Sequence, residues 1–168
     1  MENSTALSSK KRLVVGWFSF TCCEDSTILF TELLNDHMDE WKNVIEFRYL
    51  KALKTKNSME NLDVAFIEGA ISSPSQEKEV QKIRENAKYV VAIGACACTG
   101  MPGASRNDLV NPELDEKINW YLTHFDYNAK VKKLEEVIKI DDFVNGCPMS
   151  YRFKIYYQRL PPFLYKSG

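Results

Sequence analysis

The stretch DVAFIEGAISSPSQEKEVQKIRENAKYVVAIGA, residues 63–95, decides the fold. Its two ends, DVAFIEG (63–69) and YVVAIGA (89–95), are short apolar runs rich in β-branched residues, the pattern of strands buried on both faces. Between them, Ser73 can cap a helix and Pro74 takes its first position. Gln76 stands at capping-box spacing from Ser73, and Val80, Ile83 and Ala87 form an inward stripe. A strand, a helix and a second strand over this length make a parallel pair joined by a right-handed crossover.

The same alternation runs outward in both directions. RLVVGWFSF (12–20) reads as a buried strand, and Ser26 to Met38 as a helix carrying Leu29, Phe30, Leu33, Leu34 and Met38 at helical spacing, with Asp25 or Ser26 as its cap. VIEFRYL (44–50) reads as another strand, closed by the polar loop KTKNSMEN (54–61). CACTGMPGASRNDLVNPE (96–113), rich in Gly, Pro, Asn and Ser, reads as a long irregular loop of the kind that carries function. A helix around 113–125 and a short strand EVIKI (136–140) lead into DDFVNGCPMS (141–150). Residues 1–9 form a loose terminus. Residues 150–168 hold a short helix and then LPPFLYKSG, whose Phe163, Leu164 and Tyr165 either dock on a partner or fold back on the core. The expectation is one α/β domain over 1–168: a flavodoxin-like, doubly wound parallel sheet of order 2-1-3-4-5 with helices on both faces.

Charge and hydropathy narrow the function. Against 23 acidic residues stand 22 Lys and Arg, interspersed and netting −1, so there is no basic field for nucleic acid or an anionic membrane. The longest apolar stretch, Leu13 to Phe20, is far too short to span a bilayer. It follows Lys10, Lys11 and Arg12, but no small-residue cleavage site comes after it, and Cys22, Cys23, Glu24 and Asp25 break the pattern of an export signal. An odd count of five cysteines fits a disulfide framework poorly and metal or redox chemistry in a reducing compartment well, so the expected location is the cytoplasm.

The cysteines lie where an open parallel sheet binds its ligands, beyond the carboxyl ends of the strands. Cys22 and Cys23 follow the first strand, Cys96 and Cys98 the fourth, and Cys147 the fifth. Thiolates from three loops suit a soft metal centre, and a 4Fe–4S cluster needs four of them. Structural zinc can also take four cysteines, although the spacings here are CC, CxC and a single Cys rather than paired CxxC hooks. Buried, unligated cysteines are the third reading. A thiol–disulfide relay would use CxxC at a helix start. A flavin phosphate loop would need glycine, whereas TCCEDST (21–27) has none and carries two carboxylates.

VVGWFSFTCCE (14–24), DVAFIEGAIS (63–72), AIGACACTGMPGASRN (92–107) and VNGCPM (144–149) resemble, in order and spacing over about residues 13–150, two related families. These are the small subunit of NiFe hydrogenases and the 20 kDa subunit of NADH:quinone oxidoreductase. The resemblance implies a flavodoxin-like domain holding one proximal 4Fe–4S cluster and docked on a large subunit that carries the catalytic metal site. It places ligands at Cys96 and Cys147. Hydrogenases supply the first pair as CxxC, which here would join Cys23 to position 26, and position 26 is Ser26. The quinone-oxidoreductase relatives use tandem cysteines, which Cys22 and Cys23 match. Cys98 stands where the family has no ligand and is either a spare thiol or an alternative fourth ligand. Glu24 matches an acidic position near the family's proton path, and it equally suits a helix start. Arg106 and Asn107 either support the cluster, meet the large subunit or shape their own loop.

With no cysteine beyond Cys147, the expectation is one cluster in a soluble hydrogenase-type complex, passing electrons between a large catalytic subunit and a further redox subunit. Two rivals stand beside it: a subunit of a quinone-linked, complex I-like enzyme or nickel-free relative, and a zinc-stabilised interaction module. His37 and His124 read as surface or capping residues, and Trp17, Trp41 and Trp120 as core or interface aromatics.

Overall fold

A computed structural model describes residues 12–108 and 116–150 together with Phe153, Tyr156, Leu160, Pro161 and Leu164. Five parallel strands form one sheet in the order β2-β1-β3-β4-β5. They are β1 (Leu13–Ser19), β2 (Ile45–Leu50), β3 (Leu62–Glu68), β4 (Ala87–Ile93) and β5 (Asp142–Val144). The helices are α1 (Asp25–Trp41), α2 (Pro74–Asn86), α3 (Gly94–Thr99) and α4 (Glu116–His124). This is the doubly wound, flavodoxin-like order that the strand and helix alternation predicts.

Period-two alternation along the strands divides the core into two layers. On β1, Val15 and Trp17 face one side and join Phe30, Leu33, Leu34 and Trp41 of α1. Val14 and Phe18 face the other side and join Val80 and Ile83 of α2. Leu33, with no exposed surface, shows the driving force: burying a leucine contributes about 1.5–3 kcal/mol. The start of α2 follows the predicted capping, since Ser73 Oγ accepts from Gln76 N at 3.3 Å. The Gln76 side chain, however, reaches Ser72 N at 2.8 Å rather than Ser73 N. Ala87 is buried as the first residue of β4 and not as part of the helix stripe.

Three further expectations differ from what the chain does. The α1 cap is neither Asp25 nor Ser26. The helix begins at Asp25, and its N-cap is Glu24, in the left-handed region with φ 63° and no side-chain cap of its own. The segment after β4 is not an irregular loop from residue 96: Gly94 (φ +78°) turns the chain at once into α3, whose small Ala and Cys side chains fit a helix packed close to the sheet. EVIKI is not a strand. Val137 and Ile138 instead pack beneath the α2 face, and the fifth strand starts only at Asp142. The preceding Asp141 sets that start by accepting from Val90 N at 2.8 Å and pairing with Arg84. Of the core and interface roles read for the tryptophans, Trp17 and Trp41 take the core, whereas none of the residues of α4 is buried, and Trp120, Tyr121, Phe125 and Tyr127 lie exposed in ring contact.

Toward the C-terminus, Leu160 and Leu164 are buried in the α1-side core, so that stretch folds back on the domain at those positions. Phe163 and Tyr165, the loose terminus at 1–9 and the first residues of the helix expected from 113 lie outside the described residues. None of the described helices is long and apolar enough to cross a membrane.

Candidate metal centre

Three cysteine-bearing loops meet at the carboxyl edge of the sheet. A small recess there is lined by Cys23, Ser26, Glu68, Gly94, Cys96 and Cys147, among others. Cys23 sits at the entry to α1, Cys96 on the first turn of α3, and Cys147 just after β5.

Backbone chemistry ties these loops to one another. Ala95 N donates to Gly146 O at 2.7 Å, joining the Cys96 segment to the Cys147 loop. Met149 N donates to Ser26 Oγ at 3.2 Å, joining the Cys147 loop to α1. Ser26, where hydrogenases have their second CxxC cysteine, is thus a buried strut between loops. The close approach depends on glycine. A Cβ on Gly94 would stand 3.0 Å from Ser26 Oγ, and one on Gly146 (φ +132°) only 2.5 Å from Pro148 O. The Cys147–Pro148 peptide bond is cis.

Glu68 completes the arrangement, and its role went unread in the sequence. It ends β3, is 3% exposed, and takes Ser26 N at 3.0 Å on one oxygen. Its other oxygen takes Thr27 N at 3.0 Å and Thr27 Oγ1 at 2.7 Å. The carboxylate therefore caps α1 through space, supplying what Glu24 does not. A signal was present: an acidic residue ending the otherwise apolar run DVAFIEG has to find donors if it is buried.

The site's electrostatics ask for positive charge. Burial first, then Cys23, Cys147 and Glu68, push the Cys96 thiol up from its ordinary value. Among the described residues no basic side chain lines the recess. Cys22 stands beside it rather than on it, half-buried, with its Sγ donating toward Phe20 O at 3.7 Å. Burial, followed by Glu68, pushes this thiol up to about 12, opposed by the backbone N–H of Glu24. Cys98 packs against the α2-side core with its Sγ toward Ala92 O at 3.6 Å, and burial pushes it up to about 11. Among the described residues no three His, Cys, Asp or Glu groups converge closely enough to grip one metal ion. The donor chemistry of the recess fits a core that is cationic in its metals and takes soft ligands from several sides.

The other candidates lie elsewhere. Glu24 lines a separate cleft with Trp17, Phe20, Tyr49 and Lys51. Asn107 exchanges two hydrogen bonds of 2.8 Å with the backbone of Val131, and Arg106 donates to Asn128 O at 2.9 Å, so both shape their own loop. His37 pairs with Glu40 and stacks on Trp41, while His124 stacks on Trp120.

Fold and site together define a class: a parallel α/β domain presenting thiols from separate loops at one sheet edge. The chain belongs to the family of the NADH ubiquinone oxidoreductase 20 kDa subunit, whose model matches residues 22–156. It is 30% identical over 163 residues to the NAD-reducing hydrogenase HoxS subunit delta of Cupriavidus necator, covering 88% of this chain and 78% of that one. It is 22% identical over 156 residues to the iron-sulfur subunit of the F420-non-reducing hydrogenase of Archaeoglobus profundus. There it covers 75% of this chain and spans about half, 47%, of the relative. Among solved structures, a chain of the NAD+-reducing [NiFe]-hydrogenase in its H2-reduced state superposes with a TM-score of 0.74 at 19% identity, covering 92% of both chains, a likeness of fold.

Proposed function

We propose that this chain is the electron-transfer small subunit of a NiFe-hydrogenase-type complex in the cytoplasm, a single domain carrying one 4Fe–4S cluster. Cys23, Cys96, Cys147 and Cys22 are its ligands, with Cys98 the alternative to Cys22. The observation that carries the reading is the shared recess of Cys23, Cys96 and Cys147, drawn from three loops that hydrogen-bond to one another. The family match and the hydrogenase names of the relatives support it.

When bound, the cluster supplies one-electron transfer without bond making. The chain's own residues hold the thiolates at fixed places, keep the recess small and present it at the sheet edge. There a large subunit with the catalytic metals and a further redox subunit come within electron-transfer reach. Residues 150–168 form the docking segment, anchored on the α1-side core by Leu160 and Leu164. A quinone-linked, complex I-like partner is the second reading, favoured by the tandem Cys22 and Cys23.

Anaerobic reconstitution with iron and sulfide tests the reading. The expected product is brown, with about four irons per chain and a broad band near 400 nm, and Cys96→Ser abolishes both. A colourless protein holding stoichiometric zinc overturns the reading.

A further inference from the structure

We propose that Glu68 is a positioning residue of this centre, one that sets the entry of the Cys22 and Cys23 loop through α1 and holds down the reduction potential of the bound cluster. The inference rests on the cluster assignment above and goes beyond the ligands. Glu68 lines the same recess as Cys23, Cys96 and Cys147, and it receives three hydrogen bonds there, all from Ser26 and Thr27. Those two residues begin α1 immediately after the tandem cysteines, so the carboxylate ties the β3 end of the sheet to the loop that supplies the first pair of thiols. Thr27 is itself held from behind, its Oγ1 accepting from Trp17 Nε1 at 2.8 Å and lying 3.1 Å from Ser19 Oγ.

Two physical effects follow. The backbone N–H groups of Ser26 and Thr27 are spent on Glu68 and are therefore withheld from sulfur, where such bonds would raise the potential. A carboxylate in a recess without a basic neighbour also opposes the extra negative charge of the reduced cluster. Both act in the same direction.

The test compares full-length wild type, Glu68→Gln and Thr27→Val, each reconstituted anaerobically with iron and sulfide. Iron content and the potential from an EPR-monitored redox titration are the readouts. Glu68→Gln keeps length and one acceptor oxygen but not the charge, and its potential rises. Thr27→Val leaves the charge and removes the shortest donor to it, and its potential falls. Opposite shifts with retained iron separate an electrostatic role from mere support of the fold. Equal potentials, or shifts of the same sign, overturn the role of Glu68 while leaving the cluster assignment standing. Should Glu68→Gln fail to fold, Thr27→Val decides alone, a lowered potential supporting the role and an unchanged or raised one overturning it. A wild-type chain that takes up no cluster removes the assignment and the inference together.

Discussion

Cys22 and Cys23 are neighbours in the chain, yet their thiols meet different surroundings. Cys23 is exposed at the mouth of the recess, whereas Cys22 is half-buried against Phe20 O with Glu68 nearby. Alkylation needs access to the sulfur as well as a thiolate, and in the metal-free protein at pH 8 iodoacetamide reaches the exposed Cys23 and Cys147 first. Cys98 and Cys22 lag until the pH nears about 11 and about 12 respectively. Peptide mapping after timed labelling checks the order. The sign of the linked stability follows from the same shift. The folded chain keeps the Cys22 proton that the unfolded chain releases above its ordinary value of 9.0, so this contribution is present below pH 9 and lost between there and about 12.

At the scale of elements, the centre depends on where helices begin. Both α1 and α3 start at the sheet edge, one after a residue with φ 63° and the other at a glycine with φ +78°. These reversals let a cysteine-bearing turn face the recess directly after a strand. Gly94→Ala forces a Cβ against Ser26 Oγ at 3.0 Å while holding a left-handed backbone. Urea unfolding should show a loss of about 1–2 kcal/mol, and the variant should retain less iron than wild type after reconstitution, because Ser26 braces the Cys147 loop. A midpoint equal to wild type with full iron content would show that the turn tolerates a side chain.

At the scale of the molecule, the proposed cluster would join the ends of β1, β4 and β5, regions far apart in sequence. Binding to the folded state alone stabilises it, by about 2.7 kcal/mol at 100 times Kd. That corresponds to roughly 5–10 °C in a chain of this length. Anaerobic calorimetry before and after chelation should therefore show the reconstituted protein melting higher, and coincident melting curves would argue against a cluster shared among the loops. The sheet also determines what a partner can reach: the recess opens at the carboxyl edge, while Cys98 is turned toward the α2-side core.

The first four strands, helices α1 and α2, the sheet order and the edge at which Cys23, Cys96 and Cys147 lie were legible from period-two and helical patterns together with the rule placing ligands beyond parallel strands. Hydrophobic patterning is local and a short chain has few ways to satisfy it, which is why the residues alone determined this much. Only the tertiary structure decided that Cys96 rides a short helix, that the last strand is DFV and not EVIKI, that Cys22 flanks the recess, and that Glu68 caps α1. The cap, the last strand and the short helix turn on a hydrogen bond between residues more than forty positions apart or on a glycine's left-handed turn against a particular neighbour. Such pairings are set by packing in three dimensions and leave no periodic trace along the chain.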